Sequence, residues 1–222
     1  MSVEKIHTRI IECSKCVRLI TWCKKIEKEK RKSFAQDTYW GKPVPAFGDP
    51  NAQILILGLA PAAHGANRTG RMFTGDNSGL WLYRALFENN LSNLPESKHK
   101  TDSLKLSNVY ITATVHCAPP DNKPTTEEIQ TCMNYFREEL NVMKNVKVII
   151  ALGSIAWNTF FQIAKEKGWA SRKEKFGHGV VIEVGPYKLI GSYHPSQQNT
   201  FTKRLTHDMF DSIFKQAKQL LK

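Results

Sequence analysis

Four short apolar runs recur along this chain, each closed by a glycine or a polar loop. They are Ile54–Leu57 before Gly58, Val109–Val115 before His116, Val146–Leu152 before Gly153, and Tyr187–Tyr193 before His194. Runs this short and this apolar predict strands buried on both faces. Between them the spacing turns helical. Residues 78–88 carry Leu82, Leu86 and Phe87 on one stripe. Thr125 opens a helix with Glu127 and Glu128 in its first turn, and Ser154 is the expected cap of a helix after Gly153. Residues 3–32 and 205–221 also read as helices, and Val180–Val184 as an edge strand. Such alternation predicts an α/β fold: a three-layer αβα sandwich with a central four-stranded, mainly parallel sheet, residues 1–222 forming one domain. In these folds ligands gather at the carboxyl ends of the strands. Gly58, Cys117, Gly153 and His194 each follow a predicted strand, and three polar or glycine-rich loops far apart in sequence are therefore expected to converge on one cleft.

Composition narrows the function. At 41% hydrophobic residues the chain of 222 can bury a core and is not a disordered one. No apolar run reaches membrane-spanning length and the N-terminus lacks the apolar core of a signal peptide, so a cytoplasmic location is expected. Thiols stay reduced there, and paired cysteines read as metal ligands before disulfides. Cys13 and Cys16 form a C-x-x-C; Cys117 and Cys132 form a second, remote pair. Four thiolates suit a soft centre, zinc or an iron–sulfur cluster. Cys23 is left over and reads as a packed structural thiol. The net charge of +12 predicts a polyanionic partner, most simply nucleic acid. The basic run Lys24–Lys32 lacks interleaved aromatics and reads as a solvated helix face.

The segment Gly58–Gly79, GLAPAAHGANRTGRMFTGDNSG, is neither a phosphate-binding Walker loop nor a dinucleotide fingerprint. Its glycines permit close backbone approach to a ligand. Phe73 within it is either a core aromatic or a platform on which a base stacks.

GLAPAAHG, CAPPDNKPT and HPSQQNT stand in the order and spacing of the uracil-DNA glycosylase superfamily. YWGKPVPAFGDP, NRTGR-x-FTGD-x-SG and the four cysteines extend the likeness from about Cys13 to Thr206. The chain most resembles family 5, the type B, thermophile-associated branch. The resemblance implies a 4Fe-4S cluster on Cys13, Cys16, Cys117 and Cys132, with zinc as the alternative. It implies excision of uracil, and of other deaminated bases such as hypoxanthine and xanthine, from DNA. A monomer in a thermophilic prokaryote, near the nucleoid, is expected, and a sliding clamp is left open as a further partner. Two departures stand out. Leu59 and Ala60 occupy positions where many relatives carry an acidic or amide residue, and Lys203 stands where glycine is expected.

Breaking an N-glycosidic bond builds negative charge on the departing base, which must first be flipped out of the helix. His194 is the candidate donor to that base, Asp76 and Asn122 candidates for placing water. Gly58, Ala60, Phe73 and Asn122 are the candidate base-binding residues. The bland readings are a loop-fixing histidine, a helix-capping aspartate and a turn asparagine. Arg68, Arg71, Ser196, Asn199, Lys203 and Arg204 are candidate DNA contacts. Gln197, Gln198 and Phe201 compete to fill the space of the flipped base. The rival function is a non-catalytic iron–sulfur damage sensor, which would keep the charge and cysteines but not need His194 and Phe73 beside the glycine loop.

Overall fold

The computed structural model describes residues 2–170 and 172–222. In chain order the elements are α1 (Val3–Ile11), α2 (Val17–Glu29), β1 (Phe47–Gly48), β2 (Ile54–Gly58), α3 (Ala66–Thr69), α4 (Asn77–Glu88), β3 (Val109–Ala113), α5 (Thr126–Val142), β4 (Val148–Leu152), α6 (Ser154–Glu166), β5 (Val181–Val184), β6 (Tyr187–Ser192), α7 (Gln197–Phe201) and α8 (His207–Gln219). Short 3-10 turns lie at Lys32–Phe34 and Pro120–Asn122.

The sheet has six strands in the order β1-β3-β2-β4-β6-β5. Its four inner strands are parallel, as the apolar runs predict. Antiparallel β1 and β5 extend the two edges beyond the expected four. β5 falls in the expected edge segment. β1 is new: it pairs only Phe47 with Ile111 and Gly48 with Tyr110, too short to leave a period in the Pro/Gly-rich connector.

Side chains alternate between the two faces with a period of two. Ile54, Ile56, Val109, Ile111, Val148 and Ile150 pack with Leu82 and Leu86 of α4 and Phe210 and Phe214 of α8. Leu55, Leu57, Tyr110, Ile149 and Leu189 pack instead with Phe136 of α5 and Trp157 and Phe160 of α6. Burying each such side chain contributes about 1.5–3 kcal/mol. A third cluster joins Ile6, Ile10, Leu19 and Cys23 of α1 and α2 to Val115, Cys117, Ala118 and Cys132.

Two expectations need correction. Residues 3–32 form two helices, broken between Ile11 and Val17, and the break carries Cys13 and Cys16. Ser154 does not cap α6. The cap position belongs to Gly153, whose φ of 97° only glycine adopts readily, so α6 starts without a side-chain cap. Thr125 does cap α5, in a reciprocal box with Glu128.

Candidate active site and cysteine pocket

From β2 the chain passes to β3 on one side and then to β4 on the other. The gap between the ends of β2 and β4 is therefore the switch point at which such sheets hold ligands. A cleft opens there, lined by Leu59, Gly153, Ile155, Tyr193, His194 and Arg204. The loops after β2, β4 and β6 thus converge as expected. Within the loop after β3, Cys117 turns to a separate pocket.

Phe73 lies on the glycine loop. A Cβ on Gly58 would sit 3.0 Å from the Phe73 ring, so glycine is what lets the aromatic settle there. Phe73 itself has φ 52°, a left-handed conformation that is costly for an aromatic residue. Its ring and that of His194 are tilted, with centroids 6.0 Å apart. The His194 imidazole is partly buried, and desolvation lowers its pKa to about 4. It is a neutral ring at physiological pH, able to donate from one nitrogen without first gaining a proton.

Asp76 takes the helix-cap reading. Oδ1 accepts from the Gly79 N–H at 2.9 Å and caps α4. Oδ2 points at the glycine loop, where a Cβ on Gly65 would come within 2.2 Å of it. Burial raises the Asp76 pKa against the pull of the Gly79 and Ser78 amides.

The other predicted residues divide. Ala60 packs into the third core, which leaves Leu59 as the member of that pair lining the cleft. Asn122 stands exposed on its turn with φ 55° and makes no side-chain hydrogen bond among the described residues. Ser196 and Asn199 secure the loop after β6. The Asn199 amide donates to the His194 carbonyl at 2.8 Å, the Ser196 N–H donates to the same oxygen at 2.8 Å, and Ser196 caps α7. Lys203 is exposed with φ 56°, the conformation that suits glycine. Arg204 lies over the Tyr193 ring at 4.7 Å.

Arg68 and Arg71 do not face solvent as phosphate contacts would, and that expectation is corrected. Arg71 is only 6% exposed, ion-paired to Asp102 and hydrogen-bonded to Ser97 and the Lys100 carbonyl. Arg68 is paired to Asp37 at 2.6 Å and donates to the His64 and Gly75 carbonyls. Both guanidiniums hold the loops on which Phe73 and Asp76 sit. Sequence reasoning missed Tyr193 and Ile155 in the cleft, since each is also an ordinary strand-end or helix residue in the sequence.

The second pocket is lined by Cys13, Cys16, Cys117 and Cys132, with apolar walls from Leu19, Ile20 and Val115. Burial pushes the Cys132 thiol up to about 12 and raises that of Cys16. Cys117 is raised too, first by its hydrogen bond with Cys23 and then by burial. The His116 N–H donates to Cys132 Sγ at 3.3 Å. Among the described residues, no three His, Cys, Asp or Glu side chains stand in metal-binding geometry. The donor set itself, four thiols in one apolar pocket, fits a soft cation, which would release the protons that burial holds on.

A parallel sheet with antiparallel edges, a glycine loop carrying an aromatic, and a histidine at the end of the last parallel strand define an α/β protein with a cleft at its strand ends. Comparison with known proteins agrees with that architecture. The model of the "Uracil DNA glycosylase superfamily" matches residues 45–218. Relatives named "Type-5 uracil-DNA glycosylase" match over almost the whole chain. That of Mycobacterium tuberculosis is 48% identical over 221 residues, 99% of this chain and 82% of its own. Those of Thermus thermophilus (45% over 221 residues, 99% of both chains) and Pyrobaculum aerophilum (39% over 227 residues, 98% and 97%) align equally fully. The chain belongs to the uracil-DNA glycosylase superfamily.

Proposed function

We propose that this protein is a DNA glycosylase that hydrolyses the N-glycosidic bond of uracil in DNA and leaves an abasic site. One observation carries the reading: Phe73, seated on Gly58, and the neutral His194 ring face one another across the carboxyl ends of the parallel strands. The relatives' names supply the substrate. The same pocket would take hypoxanthine and xanthine, which are also flat and also leave as anions.

The flipped base stacks on Phe73. As the bond stretches, charge collects on a base carbonyl oxygen, and His194 donates to it without a change of its own charge. Asp76 Oδ2, held against Gly65, is the group assigned to orient the attacking water; a dissociative reaction demands little basicity of it. Leu59 and Ala60 then have no water to hold. The unengaged amide of Asn122 is the remaining candidate for the base edge. Arg204 in the cleft wall and the exposed Lys203 beside it are assigned to the DNA backbone. Of the three candidates for the vacated space, Phe201 is 74% exposed on α7, and we assign it the wedge.

Cys13, Cys16, Cys117 and Cys132 would hold a 4Fe-4S cluster. When bound, it supplies a cross-link between the α1–α2 break and the start of α5. Among the described residues, no helix is long and apolar enough to cross a membrane. Acting on DNA, it would work in the cytoplasm beside the nucleoid.

The test uses duplexes carrying uracil, hypoxanthine or xanthine, with abasic sites scored after alkali. Excision of uracil is expected. Salt-dependent binding with no abasic sites on any duplex would support the damage-sensor reading instead.

A further inference from the structure

Lys24–Lys32 is not an isolated solvated face. Three contacts stitch the segment that follows it to the glycine loop. Phe34 lies under the Arg68 guanidinium at 3.8 Å, and Asp37 pairs with Arg68. The hydroxyl of Tyr39 accepts from the Arg31 N–H at 3.4 Å and bonds His64 Nδ1 at 3.0 Å. Arg31 stands near enough to His64 that its charge, after burial, helps lower the imidazole's pKa. The end of α2 therefore adjoins the loop carrying Gly58 and Gly65.

The charges of this segment are unequal in their freedom. Lys25 pairs with Glu29 at 3.9 Å, Lys30 donates to the Ala35 carbonyl, and Glu27 folds over Gly41. Lys24, Lys28, Arg31 and Lys32 are exposed and have no carboxylate partner among the described residues. Lys24 and Lys28 are four apart on one helix face, and Arg31 follows three residues on. From Lys24 to Lys28 the strip rises about 6 Å along α2, and Arg31 and Lys32 continue it past the helix end, which Lys30 closes with φ 49°.

We infer that Lys28, Arg31 and Lys32, with Lys24 behind them, form a track for one strand of the DNA flanking the lesion. The track approaches the glycine loop from the His64 side, whereas Lys203 and Arg204 approach the cleft from the His194 side. It supplies the phosphate contacts that buried Arg68 and Arg71 cannot make. The inference rests on the DNA-glycosylase reading and names the surface that reading leaves open.

The experiment compares the full chain with a Lys28→Gln/Arg31→Gln/Lys32→Gln variant on a uracil duplex. Affinity of the variant should fall about tenfold to a hundredfold near 0.1 M salt. Its slope of log affinity against log salt should shrink by about two to three units, close to 0.9 per lost phosphate contact. The single-turnover rate at saturating enzyme should not change, because none of the three residues reaches the cleft. A Lys28→Arg/Arg31→Lys/Lys32→Arg variant should behave as the parent. An unchanged slope in the glutamine variant, or an equal loss in the charge-conserving one, would overturn the track while leaving the glycosylase reading intact. A parent protein that neither binds nor cuts duplex DNA would overturn both.

Discussion

At the scale of single residues, desolvation and close packing decide the chemistry. Because the His194 pKa is lowered to about 4, the neutral ring persists from alkaline pH down to that value. The His194 ring resonances should therefore show no titration near pH 6.5 and should shift only as pH approaches 4; a transition centred on 6.5 would mean the ring titrates as if free. His194→Ala should cut the single-turnover rate roughly a hundredfold, the scale of one lost transition-state donor, with DNA affinity unchanged. Asp76 allows a cleaner separation. Asparagine can still accept the Gly79 N–H, so Asp76→Asn should keep thermal stability and report on the carboxylate alone. Asp76→Ala should lose the cap as well, about 1 kcal/mol in a melting experiment. Gly65→Ala should push the carboxylate aside without removing it. If Asp76→Asn cuts at the parental rate, water is placed by another group. The motif residues Phe73, Asp76 and His194 were legible in the sequence because glycines and a strand end mark them. The partners of Arg68 and Arg71 were not. Asp37 and Asp102 each lie 31 residues from the arginine they bind, and an ion pair that remote leaves no local pattern.

At the scale of elements, the parallel strands were readable because each is a complete apolar run bounded by glycine or polar residues. β1 was not, since two paired residues cannot show a period. The break between α1 and α2 was hidden for another reason: Glu12–Cys16 is polar, and polarity alone does not separate a helix face from a loop. The cysteines give this break its significance. Protein produced with ample iron should be brown and carry about four irons per chain, as four-thiolate ligation of a cubane implies. Serine at Cys13, Cys16, Cys117 or Cys132 should lose the iron and loosen α1 and α2, seen as faster amide exchange in both helices. Cys23→Ser should keep the iron, because Cys23 is buried in the third core and does not line the pocket. Stoichiometric zinc without iron would assign the pocket to the other metal.

At the scale of the whole molecule, one buried acid ties the N-terminal arm to the sheet. Glu139 of α5 is fully buried; its Oε1 accepts from the Tyr110 hydroxyl at 3.1 Å, and that hydroxyl bonds His7 Nε2 of α1 at 2.8 Å. Its Oε2 makes no hydrogen bond of ordinary geometry among the described residues, and burial, against the pull of the Thr112 and Tyr110 hydroxyls, raises the pKa to about 7 from 4.5. The unfolded chain therefore loses this proton near pH 4.5 while the folded chain keeps it to about 7. Glu139 should then favour the fold fully below 4.5 and cost stability progressively as pH rises to 7, after which the effect is level. Relative to the parent, Glu139→Gln should gain on the order of 2–3 kcal/mol between pH 5 and pH 8; chemical denaturation at the two pH values checks this. The same arm has a consequence in time. α1 docks on α5, through Arg9 to Glu138 and the Tyr135 hydroxyl to the Arg9 carbonyl, yet α5 is synthesised more than a hundred residues later. At ordinary elongation speeds the first helix waits roughly ten seconds for its seat. A ribosome stalled before residue 126 should hold α1 open to protease, and one stalled far enough beyond residue 142 for α5 to emerge should protect it. The beginning of this chain is among the last parts of it to become structure.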